Sequence, residues 1–185
     1  MKFEDLKFMS IGSNCGDIFF LGKNRVRGPI DNVNLYKGLI NVDDVLSEKL
    51  LQDVISKNFD EIERRGQKVY RCRETFIEFW HNNPNEEKFL VEFKRRYDNL
   101  RKALKDESFY FTYNPAWTDS KDGKNLENSF YKGLQVLERY GIKDRVILTN
   151  CINPNEDVKN VFHPSSGFKG EYLLQITLDG ISRTN

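Results

Sequence analysis

Cys15 sits in the setting most suited to covalent chemistry. The run Ser10-Ile11-Gly12-Ser13-Asn14-Cys15-Gly16 breaks an apolar stretch (Phe8, Met9, Ile11) into small polar residues. That pattern predicts a strand, a tight turn and the first turn of a helix continuing through Asp17-Ile18-Phe19-Phe20-Leu21 to about Gly22. Unpaired amide N–H groups and the helix dipole at such a position favour an anion, so a Cys15 thiolate would be stabilised as a nucleophile. The plain alternative is a buried, inert thiol.

A thiol nucleophile needs a base and a group that orients the base. The chain has two histidines. His81 closes the aromatic run Phe79-Trp80 and is the preferred base, whereas His163 lies in the turn-rich Phe162-His163-Pro164 segment and is the reserve. Asp31, in Gly28-Pro29-Ile30-Asp31, is the preferred orienting acid, because the Gly-Pro step stops a helix and returns the chain toward the first loop. It could equally cap the helix that follows. Asn14, Gly16, Asn82 and Asn114 are candidate oxyanion or substrate donors, the Cys15 and Gly16 amides among them. Arg95 and Arg96 could reach an anionic substrate, or form ion pairs along their own helix.

Alternating elements would have to position these residues. Leu6 to Ile11 reads as a first strand. Apolar spacing of three and four from Leu35 to about Phe59 predicts two amphipathic helices. Lys68 to Trp80 is strand-like, with a turn near Arg73-Glu74. A long helix follows Asn83-Pro84, with Phe89, Leu90, Phe93, Tyr97, Leu100 and Leu104 on one face. Ser108 to Tyr113 reads as a buried strand, Leu126 to Tyr140 as a helix stopped by Gly141, Arg145 to Thr149 as a strand, Asn153 to Gly167 as a loop, and Glu171 to Leu178 as a last strand. Strands alternating with crossover helices predict a three-layer α/β domain over residues 1–185, with a mainly parallel, Rossmann-like sheet covered by helices on both faces. Sites in such sheets form beyond the carboxyl ends of strands, where Cys15, His81, Asn114 and Asn150 would fall.

Composition narrows the function classes. The 185 residues suffice for one sizeable core. With 29 basic against 28 acidic residues there is no net field to recruit nucleic acid or an anionic membrane. No run approaches the roughly 18 apolar residues of a membrane span, and Met1-Lys2-Phe3-Glu4-Asp5 does not resemble a secretory leader, so the expected compartment is the cytoplasm. Cys15, Cys72 and Cys151 are widely spaced, which argues against a disulfide framework and a structural zinc site. No metal or cofactor is expected, and the expected partner is a small-molecule or peptide substrate.

In order, the motifs Ser-Ile-Gly-Ser-Asn-Cys, Gly-Pro-Ile-Asp-Asn, Phe-Trp-His-Asn, Phe-Lys-Arg-Arg-Tyr-Asp-Asn-Leu and Ser-Phe-Tyr-Phe-Thr span Ser10 to Thr112. This order resembles a bacterial family of unknown function described as papain-like cysteine peptidases. The resemblance implies Cys15 as nucleophile, His81 as base and Asp31 as the matching acid. Two positions depart from its pattern: Asn32 stands where the family has tryptophan, and Asn82 where it has an aspartate after the histidine. The implied activity is cysteine-dependent hydrolysis or acyl transfer. Two alternatives stay open: a catalytically silent α/β binding module, and a binder of a phosphorylated ligand or nucleotide sugar at the first strand-helix loop.

Overall fold

A computed structural model of the chain describes residues 7–12, 24–35, 39–113, 135–149 and 161–162. Its elements, in order, are β1 (Lys7–Gly12), a 3-10 turn (Pro29–Asn32), β2 (Val33–Asn34), α1 (Leu39–Leu46), α2 (Lys49–Ile55), β3 (Phe59–Arg64), β4 (Gln67–Cys72), β5 (Glu78–Phe79), α3 (Glu87–Lys105), β6 (Phe109–Tyr113), a second 3-10 turn (Lys143–Arg145), β7 (Val146–Thr149) and β8 (Val161–Phe162).

The strands divide between two sheets. One is parallel, in the order β1-β6-β7-β8; the other is antiparallel, in the order β2-β5-β4-β3. This overturns the expectation of a three-layer domain built on one mainly parallel, Rossmann-like sheet. The reason lies between Phe59 and Cys72. Phe59-Asp60-Glu61-Ile62-Glu63-Arg64 forms β3, and Arg65-Gly66, with φ of 51° and 73°, turns it straight back into β4. A two-residue turn with positive φ at both positions joins only antiparallel neighbours, because a parallel pair needs a crossover of a dozen residues or more. The acids and bases on β3 disguise it, since most of its side chains face water. β8 likewise falls within the stretch read as a loop between Asn153 and Gly167.

Helix α3 joins the sheets to one core. Phe89, Phe93, Tyr97, Leu100 and Ala103 are buried along one face, as their spacing of three and four requires. Phe89 and Phe93 stack at 5.2 Å, and the ring of Phe79 from β5 meets both edge-on, at 5.6 and 5.9 Å. Met9, Ile11 and Phe111 of the parallel sheet enter the same core, together with Val42 and Val45 of α1 and Leu50 and Val54 of α2. The helix starts after Glu86, so Pro84 precedes it rather than occupying its first turn; the Asn83 side chain instead accepts the Asn85 N–H at 3.0 Å.

Two arginines brace the ends of these elements. Glu48, between α1 and α2, adopts a left-handed φ of 64°, and its carboxylate takes both a 2.6 Å Nε bond and a 2.6 Å Nη2 bond from Arg101 of α3. Arg145, just before β7, donates to the carbonyls of Ala103, Leu104, Asp106 and Phe109 at 2.7 to 3.3 Å and lies 5.4 Å from the Phe111 ring. Carbonyls at the end of a helix have no partner within it, so one cation that gathers them fixes where β7 starts beside β6.

Candidate functional site

β1 ends with a change of direction. Register with β6 slips between Ser10 and Gly12, placing an extra residue on β1, and Gly12 has φ of +145°. A Cβ there would come within 2.9 Å of Leu35 Cδ1 and 3.0 Å of the Tyr113 ring, so both backbone angle and space demand glycine. Cys15 follows three residues later in the sequence. Asn14, Cys15, Gly16, Asn114, Cys151 and His163 lie outside the described residues, as do the expected helix to Gly22 and the expected strand Glu171 to Leu178.

Asp31 is positioned by the segment that returns along β1. Arg25 forms a parallel bridge to Phe8, and the Val26 N–H donates to the Phe8 carbonyl at 2.8 Å. A Cβ on Gly28 would meet the Met9 side chain at 2.7 Å, so glycine lets this segment press against the strand. Pro29 then opens the 3-10 turn, with Gly28 in the extended conformation that a residue before proline prefers. Asp31 is buried inside that turn, and its Oδ2 accepts a 2.6 Å bond from Arg25 Nη2. The side chain of Asn99 on α3 donates to the Arg27 carbonyl at 3.0 Å and ties the segment to the long helix.

Burial raises the pKa of Asp31 above its ordinary 3.8, despite the charge and hydrogen bond of Arg25, the charge of Arg96 and a backbone hydrogen bond from Gly28. In the folded protein Asp31 therefore keeps its proton to higher pH than in the unfolded chain. Its stabilising contribution is complete below the unfolded value of 3.8 and is lost as pH rises through the raised folded value. Ionising this carboxylate in the folded protein therefore costs stability rather than adding it. Asp31→Asn should thus shift unfolding stability at neutral pH by less than about 1 kcal/mol, whereas Arg25→Ala, which strands a buried carboxylate, should cost about 3 kcal/mol. Urea titration of both variants checks this, and a larger loss for Asp31→Asn than for Arg25→Ala would refute it.

His81 follows β5. Pairing of Val33 with Phe79 and of Asn34 with Glu78 is antiparallel. The chain entering β2, with Asp31, and the chain leaving β5, with His81, therefore sit at the same end of this ladder. The His81 side chain is exposed and makes no hydrogen bond or ion pair among the described residues. Asp31 and His81 are thus brought to one end of a sheet but are not bonded to each other. Asn82 is half-buried beside them.

Arg95 and Arg96 of α3 are engaged by a carboxylate of their own helix. Glu92 accepts Arg95 Nη2 at 2.7 Å and Arg96 Nε at 3.2 Å, and these partners, the Arg95 hydrogen bond foremost, pull its pKa down to about 2. Arg96 is buried and its charge also reaches Asp31, so it belongs to the neighbourhood of the turn, whereas Arg95 faces water.

Sequence reasoning missed two groups. Arg25 is the partner of Asp31, and nothing in a six-residue separation across a Gly-Pro step signals that pair. Glu78 is the second, and here an acid between Ile77 and Phe79-Trp80 in an aromatic strand is itself a signal. Its carboxylate is fully buried and accepts Arg71 Nε at 2.8 Å, Arg71 Nη2, Arg64 Nε at 3.4 Å and Trp80 Nε1 at 2.9 Å. Among the described residues no cluster of histidine, cysteine and carboxylate side chains could hold a metal ion, and no helix is long and apolar enough to cross a membrane. No family model matches the chain, and no curated protein or solved structure matches it.

Proposed function

We propose that the chain is a cysteine-dependent hydrolase or acyl transferase, with Cys15 as nucleophile and His81 as acid and base. The observation that supports this reading is the shared ladder end of β2 and β5, where the buried Asp31 turn and the exposed His81 leave the sheet together, the turn packing against β1. In the proposed reaction the Cys15 sulfur attacks an acyl carbonyl while His81 takes the thiol proton. The same proton passes to the leaving group as the thioester forms, and water or another acceptor then releases the acyl group with His81 again as base. Asp31 contributes by holding the turn through Arg25 rather than as a hydrogen-bond partner of His81. An imidazole that lacks an orienting acid remains a competent base when its position is set by the chain on either side.

The test is site-resolved alkylation. Iodoacetamide at neutral pH, followed by peptide mapping, should modify Cys15 about tenfold faster than a free-thiol standard, and His81→Gln should remove most of that advantage. Labelling of Cys15 at the standard's rate, unchanged by His81→Gln, defeats the reading.

A further inference from the structure

A cationic cluster stands on the antiparallel sheet, built by residues the proposed reaction does not use. Glu78 supplies one buried negative charge to two guanidinium groups. Arg71 comes from the neighbouring strand β4, and Arg64 from β3 beyond it. Arg71 lies between two cross-strand acids, Asp60 on β3 and Glu78 on β5; Asp60 is bound to Arg73 at 2.9 Å, and Arg71 is bound to Glu78. Nearby Glu61 is likewise engaged, by Lys68 at 2.8 Å.

The three charges do not cancel. Glu78 Oε1 takes the Nε edge of both arginines, and Oε2 takes the indole N–H of Trp80. Neither guanidinium makes another hydrogen bond or ion pair with a described residue, so Arg71 Nη1 and both Nη groups of Arg64 keep their donors. The side chains are 29% and 45% exposed, whereas Glu78 is 0% exposed. The anchor is thus hidden and the donors face outward, with one positive charge in excess.

From this we infer that Arg64 and Arg71 form an oxyanion subsite for a ligand carrying a carboxylate or a phosphate, with Glu78 as the positioning residue beneath it. Guanidinium groups recognise such anions by paired N–H donors, and a buried carboxylate that fixes their planes removes the ordering cost from binding. Trp80, half-buried and held by the same carboxylate, places an aromatic surface beside the anion. The site stands or falls independently of Cys15.

Isothermal titration at low salt with inorganic phosphate, and separately with acetate, tests it. Saturable binding of either anion is expected, and which one binds tells phosphoryl from carboxyl ligands. Arg64→Gln should weaken it about fivefold, while Arg73→Gln, which removes an exposed cation already paired to Asp60, should leave it unchanged. Glu78→Gln keeps the polar shape but gives up the charged bonds that fix the two guanidinium planes, so it should weaken anion binding as well as lower thermal stability. Should Glu78→Gln not fold, the contrast between Arg64→Gln and Arg73→Gln decides. No saturable binding of either anion, or equal loss in both of those variants, would overturn the subsite.

Discussion

In the folded protein, Cys72 should alkylate at least about a thousandfold more slowly than a free thiol at neutral pH, and should gain ordinary reactivity only when the chain unfolds. Cys72 ends β4 with no exposed surface, its N–H donating to the Ile77 carbonyl at 2.9 Å and its carbonyl accepting the Phe76 N–H at 3.1 Å. Burial pushes its thiol from 9.0 up to about 12, with the charge of Asp53 adding to the effect against a hydrogen bond with Thr75. That rise cuts the thiolate fraction about a thousandfold, and the packed sheet shuts out the reagent as well. Peptide mapping after iodoacetamide treatment, with and without urea, gives both rates. Native labelling of Cys72 within tenfold of the free-thiol rate would mean that the β4–β5 corner opens, contrary to its packing. The silence of this cysteine also keeps the alkylation test of Cys15 free of one competing signal.

Phe79→Ala should destabilise the fold by about 4 kcal/mol, a loss of about a thousandfold in the folding equilibrium. Phe79 is fully buried at the centre of the aromatic core. Its ring lies 5.6 Å from Phe89, 5.9 Å from Phe93 and 6.4 Å from Phe59, and its backbone pairs with Val33 on one side and Tyr70 on the other. Truncation forfeits the burial of a whole ring, leaves a cavity between helix and sheet, and removes edge-to-face contacts that add about 1 kcal/mol each. For a domain of this length the melting temperature should fall by about 10 °C. Val91→Ala, on the exposed side of the same helix, should change stability by less than about 0.5 kcal/mol. Parallel thermal melts make the comparison, and equal losses in the two variants would contradict the core described above.

The loss at Phe79 bears on the candidate site because β5 carries both groups of interest. Glu78 points to the face that holds Arg64, Arg71 and Trp80, while Phe79 on the opposite face anchors the strand to α3. Alternation along two residues thus separates a charged cluster from an aromatic core. His81 lies two residues beyond Phe79, so a substitution that loosens Phe79 should disturb both the charged cluster and the proposed base.

Local physics was legible in the amino-acid order. The spacing of Phe89, Phe93, Tyr97 and Leu100 determines that α3 is a helix and which face it buries, because a period near 3.6 leaves one consistent stripe. The run Phe109-Tyr110-Phe111-Thr112-Tyr113, aromatic at four of its five positions, determines a strand buried throughout. Gly28-Pro29 determines a turn at Asp31, since the backbone limits of the two residues act without any partner. What only the tertiary structure decided is which segments pair, and hence which charges meet. A two-residue turn at Arg65-Gly66 sends β3 and β4 into an antiparallel sheet rather than a crossover. Arg25 reaches Asp31, and Glu78 gathers Arg64 from β3, Arg71 from β4 and Trp80 from just beyond β5. Periodicity reports how a residue relates to its own helix or strand, whereas strand pairing and buried ion pairs join residues far apart in the chain, and their free energy exists only once the chain has brought them together.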